Sequence, residues 1–157
     1  MKKLTTLALM CCISFVIALS SCGTTSVQTS IISMFYRGAM HTYNSAAGMY
    51  IYQGSNYSTV AATESSASAN TFYLNYTGTN TGTYTLNSSS SSAINMTLGG
   101  VGYSSQAFGG HGTVHMTKFD AGTMVATGDF TGTLYNTNTA SDSLPITQGS
   151  ISVKYQF

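Results

Sequence analysis

Residues 112–130 read GTVHMTKFDAGTMVATGDF, and the reading of this stretch decides the fold class. Val114 and Met116 stand at alternate positions before Asp120, Ala121 and Gly122, and Met124, Ala126 and Phe130 resume the alternation after them. A period of two belongs to a strand with one buried face, because successive Cβ atoms point to opposite sides of a sheet. A three-residue loop with Gly122 in the left-handed third place pairs Phe119 with Thr123 and puts all five apolar residues on one face. A two-residue loop at Ala121 and Gly122 would set Val114 against Asp129 and mix the faces, so the first register is expected.

The same alternation extends in both directions. It recurs in ISMFY (32–36), MYIYQ (49–53), TFYLNY (71–76), GTYTL (82–86), INMTL (94–98), GDFTGTLY (128–135) and SISVKYQF (150–157). Breakers separate these runs at 87–92, 99–102, 108–112 and 136–145, and residues 60–70, rich in Ser and Asn, read as a loop. Gly-Thr repeats at Gly112, Gly122 and Gly132, a strand-and-turn spacing far shorter than the period of a solenoid. The pattern predicts an all-β chain of eight to ten short strands. It is an antiparallel meander forming a small sandwich or a flattened, lipocalin-like barrel.

Charge is scarce. Only 6% of the 157 residues are Asp, Glu, Lys or Arg, against about a quarter in an average domain. Without Lys2 and Lys3 the bases are Arg37, Lys118 and Lys154, against Glu64, Asp120, Asp129 and Asp142. Such a chain offers no electrostatic footprint for nucleic acid.

The N-terminus has the three parts of an export signal: Lys2 and Lys3, the apolar run LALMCCISFVIAL (7–19), and then small residues. Leu19, Ser20, Ser21 and Cys22 resemble a bacterial lipobox. The resemblance implies a lipoprotein signal peptide at 1–21, with Cys22 as the lipidated first residue of the mature chain. Cys11 and Cys12 would leave with the signal, so no disulfide could form within the mature chain. Residues 22–31, without periodicity, are expected to be a flexible tether, and 32–157 a single β domain. From about residue 71 to 157, NTGTYTLNSSSSS, GGHGTVHMTKFDAGTMVATGDFTGTLYN and LPITQGSISVKYQF together resemble small Bacteroidota lipoproteins of unknown function with a β-meander domain. FYRGAMHTY matches the opening hairpin of that family more loosely. The family supplies no catalytic residues. Acidic residues that often follow the lipidated Cys of Bacteroidota lipoproteins displayed on the cell surface are absent from GTTSVQ. Residues Asp142, Ser143 and Leu144 resemble the Asp-Ser/Thr-apolar signal for O-glycosylation, which implies a sugar on Ser143 in a polar loop.

Catalytic constellations are not found. His111 and His115, four residues apart, would share an ion on a helix, but on a strand their Cα atoms stand about 13 Å apart. In the expected register His115 lies diagonal to Asp129 on the polar face, a solvated pair of little energetic weight. No GxSxG elbow appears, nothing pairs two of the four carboxylates, and Asp120 reads as a turn residue. No cofactor or metal is expected. Tyr36, Tyr43, Tyr50, Tyr52 and Tyr57 crowd the first third of the domain, amphipathic rings suited to stacking on a sugar or packing on a partner. The expected function is therefore non-catalytic: a cell-envelope protein, anchored by lipid in the outer membrane, that binds an envelope protein or a glycan. Two other readings are a lipocalin-like carrier of a small hydrophobic ligand and an integral outer-membrane barrel. The latter is suggested by the closing alternation of Ile151, Val153, Tyr155 and Phe157.

Overall fold

A computed structural model describes residues 30–52, 56–64 and 70–157, the side chains of 45–47 excepted. In it the stretch 112–130 lies in the hairpin of β9 (His111–Asp120) and β10 (Val125–Asn136). Val114, Met116, Ala126 and Phe130 are buried together, and Met124 packs partly buried against them. The register differs from the expected one. The turn takes four residues, so Asp120 pairs with Val125 and Phe119 faces Ala126 instead of Thr123. Its left-handed residue is Met124, at φ 55°, and not Gly122. The Asp120 carboxylate accepts the N–H groups of both Gly122 and Thr123 at 3.0 Å, which carries the chain one residue further before it returns.

A four-residue loop alone would invert the faces. A bulge at Thr117 corrects this, since Lys118 pairs with Thr127 but Met116 with Gly128. Thr117 and Lys118 are exposed in succession there, and the Thr117 hydroxyl donates to the Thr127 carbonyl at 3.1 Å. The ten-residue glycine spacing has its origin in the same register, in which Gly112 lies opposite Gly132. A Cβ on Gly112 would come within 2.6 Å of the Thr131 carbonyl oxygen, so only glycine allows this approach.

Among the described residues eleven strands form. Before the hairpin come β1 (Ile31–Tyr36), β2 (Ala39–Tyr43), β3 (Ser45–Tyr52), β4 (Tyr57–Thr63), β5 (Thr71–Thr77), β6 (Gly82–Asn87), β7 (Ala93–Leu98) and β8 (Val101–Ser104), and after it β11 (Ser143–Gln156). Two strands occupy stretches expected to break structure. In β4 the inward residues are Ser58, Val60 and Ala62, so small and so mixed that the alternation is faint. The Ser58 hydroxyl is satisfied by donating to the Gly78 carbonyl at 2.6 Å. In GGVG only Gly99 and Gly100, both left-handed, make the turn, while Val101 and Gly102 already pair with Leu98 and Thr97.

The strand order is β2-β1-β11-β3-β4-β5-β7-β8-β10-β9-β6, and β10 also pairs with β11. The chain from β11 through β3, β4, β5, β7 and β8 to β10 thus closes on itself, with β1–β2 and β9–β6 as flanking extensions. Closure rests on two short ladders: Tyr155 and Gln156 run parallel to Met49 and Tyr50, and Tyr135 and Asn136 pair with Ser104 and Tyr103. The result is a flattened barrel with two layers, β2-β1-β11-β10-β9-β6 against β3-β4-β5-β7-β8. Phe72 of β5 meets Phe130 of β10 across the interior at 5.3 Å between ring centroids. Tyr43, Leu74, Tyr76 and Met96 fill the space around them. Each such side chain contributes about 1.5–3 kcal/mol by burial.

Candidate functional site: an uncharged tyrosine face

The strands β3, β4, β5, β7 and β8 contain no Asp, Glu, Lys, Arg or His. Because Met49, Ile51, Val60, Phe72, Leu74 and Tyr76 turn inward, the residues between them form the outer surface of this layer. Register sets them in rows: Tyr50 beside Thr59 and Asn75, Tyr52 beside Tyr57 and Thr77, and Ala61 beside Tyr73. Tyr50, Tyr52 and Tyr73 are 41%, 50% and 46% exposed, and Tyr57 is half-buried against Tyr52 with ring centroids 6.2 Å apart. Rings with hydroxyl tips, flanked by Thr and Asn, can stack on an apolar face and exchange hydrogen bonds at its rim without desolvating a charge.

Of the five tyrosines singled out in the sequence, Tyr50, Tyr52 and Tyr57 belong to this face. Tyr36 and Tyr43 do not. Arg37 and Gly38, both at positive φ, make a two-residue turn that pairs Tyr36 with Ala39 and Tyr43 with Ile32, and this register directs both rings into the core. Their hydroxyls meet at 3.1 Å, and burial pushes the pKa of both upward. Tyr73 takes a place that the sequence reading missed. Its signal was present, since placing Phe72, Leu74 and Tyr76 on one face of β5 leaves Tyr73 on the other.

No protein-family model matches this chain, nor does any curated protein or any solved structure.

Cys22, with Cys11 and Cys12, lies outside the described residues. Ser143 is exposed, but it is the first residue of β11, paired with Tyr135, and not part of a loop. Its neighbour Asp142 is already engaged: the carboxylate accepts from the Tyr103 hydroxyl at 2.8 Å and from the Asn136 amide at 3.1 Å. His115 stands directly opposite Asp129 and not diagonal to it, because the bulge shifts the register. The two meet at 3.3 Å with both side chains more than half exposed, which leaves the pair weak. His111 sits four residues away along the same strand, its Nδ1 3.4 Å from the Gly109 carbonyl. Among the described residues no three His, Cys, Asp or Glu side chains converge as metal ligands would.

A second polar assembly was not legible in the sequence. Arg37 donates to the Tyr103 hydroxyl at 2.6 Å and lies over the Tyr103 ring, 5.5 Å from its centroid, so Tyr103 links Arg37 to Asp142. The donors from Asn136 and then Tyr103 hold the Asp142 carboxyl below its ordinary range. Burial, and then the hydrogen bond to Asp142, raise the pKa of Tyr103. Nearby, His41 stacks on Tyr36 at 3.8 Å and meets Glu64 at 2.8 Å, while Asn70 donates to the other Glu64 oxygen at 2.6 Å. These contacts tie together the β1–β2 turn, the end of β4 and the β10–β11 connection.

Proposed function

We propose that the protein is a non-catalytic lipoprotein of the cell envelope, held in the outer membrane through Cys22, whose β domain binds a partner protein or glycan. The contact surface is the outer face of β3, β4 and β5, with Tyr50, Tyr52, Tyr57 and Tyr73. One observation supports this above all others: three tyrosines stand about half exposed on a face whose strands carry no Asp, Glu, Lys, Arg or His. An interior filled by aromatic and aliphatic side chains lends no support to a carrier. Outward positions such as Ser150, Ser152 and Lys154 on β11 are the reverse of the apolar band that a lipid-facing strand requires.

The test uses the full chain in detergent, probed against an array of neutral and acidic glycans and against solubilised envelope proteins. Tyr50→Ser combined with Tyr73→Ser is expected to abolish capture, and His111→Ala, His115→Ala and Asp129→Ala together are expected to leave it intact. Loss of capture in the second variant, with its circular dichroism unchanged, would count against the reading. Cys22→Ser is expected to move the protein from the membrane fraction to the soluble one.

A further inference from the structure

The described chain begins at one end of the barrel, and that end is chemically distinct. Ser30, just before β1, accepts the backbone N–H of Lys154 on its hydroxyl at 3.0 Å, so the segment that leads back to Cys22 leaves beside the last residues of β11. The same end carries a cleft of about 430 Å³ lined by Ile51, Asn56, Asn80, Phe119, Tyr155 and Phe157, together with Thr79 and Ala121. None of these side chains is ionisable as an acid or base near neutral pH. Phe119, Tyr155 and Phe157 meet edge to face at 5.6 and 5.5 Å, and Phe157 is 69% exposed. Tyr52 and Tyr57 close the row on the outer face, each one residue along the chain from a cleft residue, Ile51 or Asn56. Of the Asp, Glu, Lys and Arg side chains among the described residues, Lys118 and Asp120, which pair with each other at 2.7 Å, and Lys154, at the point of entry, belong to this end. Glu64 follows the far end of β4, about 20 Å away along a seven-residue strand.

We infer that this aromatic end faces the bilayer and sits in its interfacial zone, with Phe157 and Phe119 as the contact. The inference rests on the proposed anchoring through Cys22. Seven residues lie between Cys22 and Ser30, and whatever their conformation the eight steps span at most about 29 Å. The lipid therefore holds this end near the membrane. Anchoring makes the second contact intramolecular, so an affinity too weak to recruit a free protein is enough to orient a tethered one. Exposed apolar rings gain by leaving water for the interface, and Lys154 adds attraction to anionic lipid. The scaffold is fixed beforehand: Tyr84 donates to the Asn80 carbonyl at 2.6 Å, and the Tyr155 N–H donates to the Met124 carbonyl at 2.9 Å. Insertion thus orders little new structure. In this orientation the face bearing Tyr50 and Tyr73 stands lateral to the membrane, open to a partner.

The chain has no tryptophan, so one placed by substitution is a unique probe. Phe157→Trp marks the aromatic end, and Met40→Trp marks an exposed position on β2, beside the β1–β2 turn. Each acylated full-length variant is reconstituted in phosphatidylethanolamine–phosphatidylglycerol vesicles whose acyl chains are brominated near the headgroup. Emission from Phe157→Trp is expected to shift to the blue and to lose most of its intensity, while Met40→Trp keeps its own. Equal quenching at both positions, or none at Phe157→Trp, would overturn the orientation. Mass spectrometry of the same samples separates the two readings: acyl chains on Cys22 without quenching sink the orientation alone, and a bare Cys22 sinks both. A photo-crosslinker at Ala121, used in cells, adds a second readout. Lipid adducts support the inference, and adducts to a protein overturn it by assigning this end to another partner.

Discussion

At one end of β4, Glu64 is held by His41 and Asn70, with Arg37, Tyr103 and Asp142 close by; at the other, Tyr57 and Tyr52 lead to a rim of Phe119, Tyr155 and Phe157, where the ion pair among the described residues is the exposed Lys118 with Asp120. A chain with few charges has placed several of them where loops must be locked together. The difference teaches where each end gets its energy. The ionic end is a network whose members are worth most in combination, because each satisfies another's donors and acceptors. The aromatic end and the tyrosine face are surfaces whose side chains gain little until something covers them. The cost of mutation to stability should therefore fall mainly at the first, and its cost to binding at the second.

The largest expected effect comes from alkali. Burial raises the pKa of Tyr36, Tyr43, Tyr76 and Tyr103, and that of Tyr76, toward the aromatic end, is pushed up to about 12. A raised value means that the folded state favours the neutral hydroxyl. The stabilisation is complete below about pH 10, where unfolded tyrosine stays protonated, and is lost as pH rises toward the folded values. The unfolding free energy from denaturant titrations between about pH 9 and about pH 12 should fall by a few kcal/mol in total. A flat profile would show these hydroxyls reaching solvent in the folded state.

Next in size is Tyr103→Phe, which removes both the acceptor for Arg37 and a donor to Asp142. It is expected to cost about 1–3 kcal/mol in chemical unfolding. The variant should also lose less stability on acidification. Asp142, whose carboxyl is held low, stabilises the fold above the ordinary carboxylate range and stops doing so as pH falls below it. Equal acid sensitivity in wild type and variant would show that Tyr103 does not act through Asp142.

Tyr50→Ser and Tyr73→Ser sharpen the contrast from the other side. Each should change stability by no more than about 0.5 kcal/mol while capture of the partner is lost, since both rings lie on the outer surface. Capture should also vary little with salt, because no charge on these strands takes part. The smallest effect is expected from His115→Ala or Asp129→Ala, within about 0.5 kcal/mol by thermal unfolding, given how exposed the pair is.

Much of the layer architecture was legible because it is local. Alternation in TFYLNY and INMTL placed Phe72, Leu74, Tyr76, Ile94 and Met96 in the core, and all are buried. The faces of the β9–β10 hairpin were legible even though its register was not. Parity alone decides which face a residue takes, whereas the turn length depended on how the Asp120 carboxylate captured two N–H groups, and the bulge at Thr117 restored the parity. Strands β4 and β8 escaped notice because small inward residues and a Gly-rich start give almost no hydrophobic contrast. Tyr36 and Tyr43 were misplaced because aromatic crowding in sequence carries no information about which face a two-residue turn presents.

What the sequence determined by itself, then, is the all-β class, the strand faces and the scarcity of charge, because side-chain period and composition are properties of neighbouring residues. Only the tertiary structure decided that β11 pairs with β1, β3 and β10, that Arg37, Tyr103 and Asp142 meet across separations of 66 and 39 residues, and that Tyr73 joins Tyr50 and Tyr52. Such contacts follow from closure of the barrel. A strand's edge offers the same N–H and C=O groups to any partner, and the choice falls to the arrangement that buries every apolar face at once.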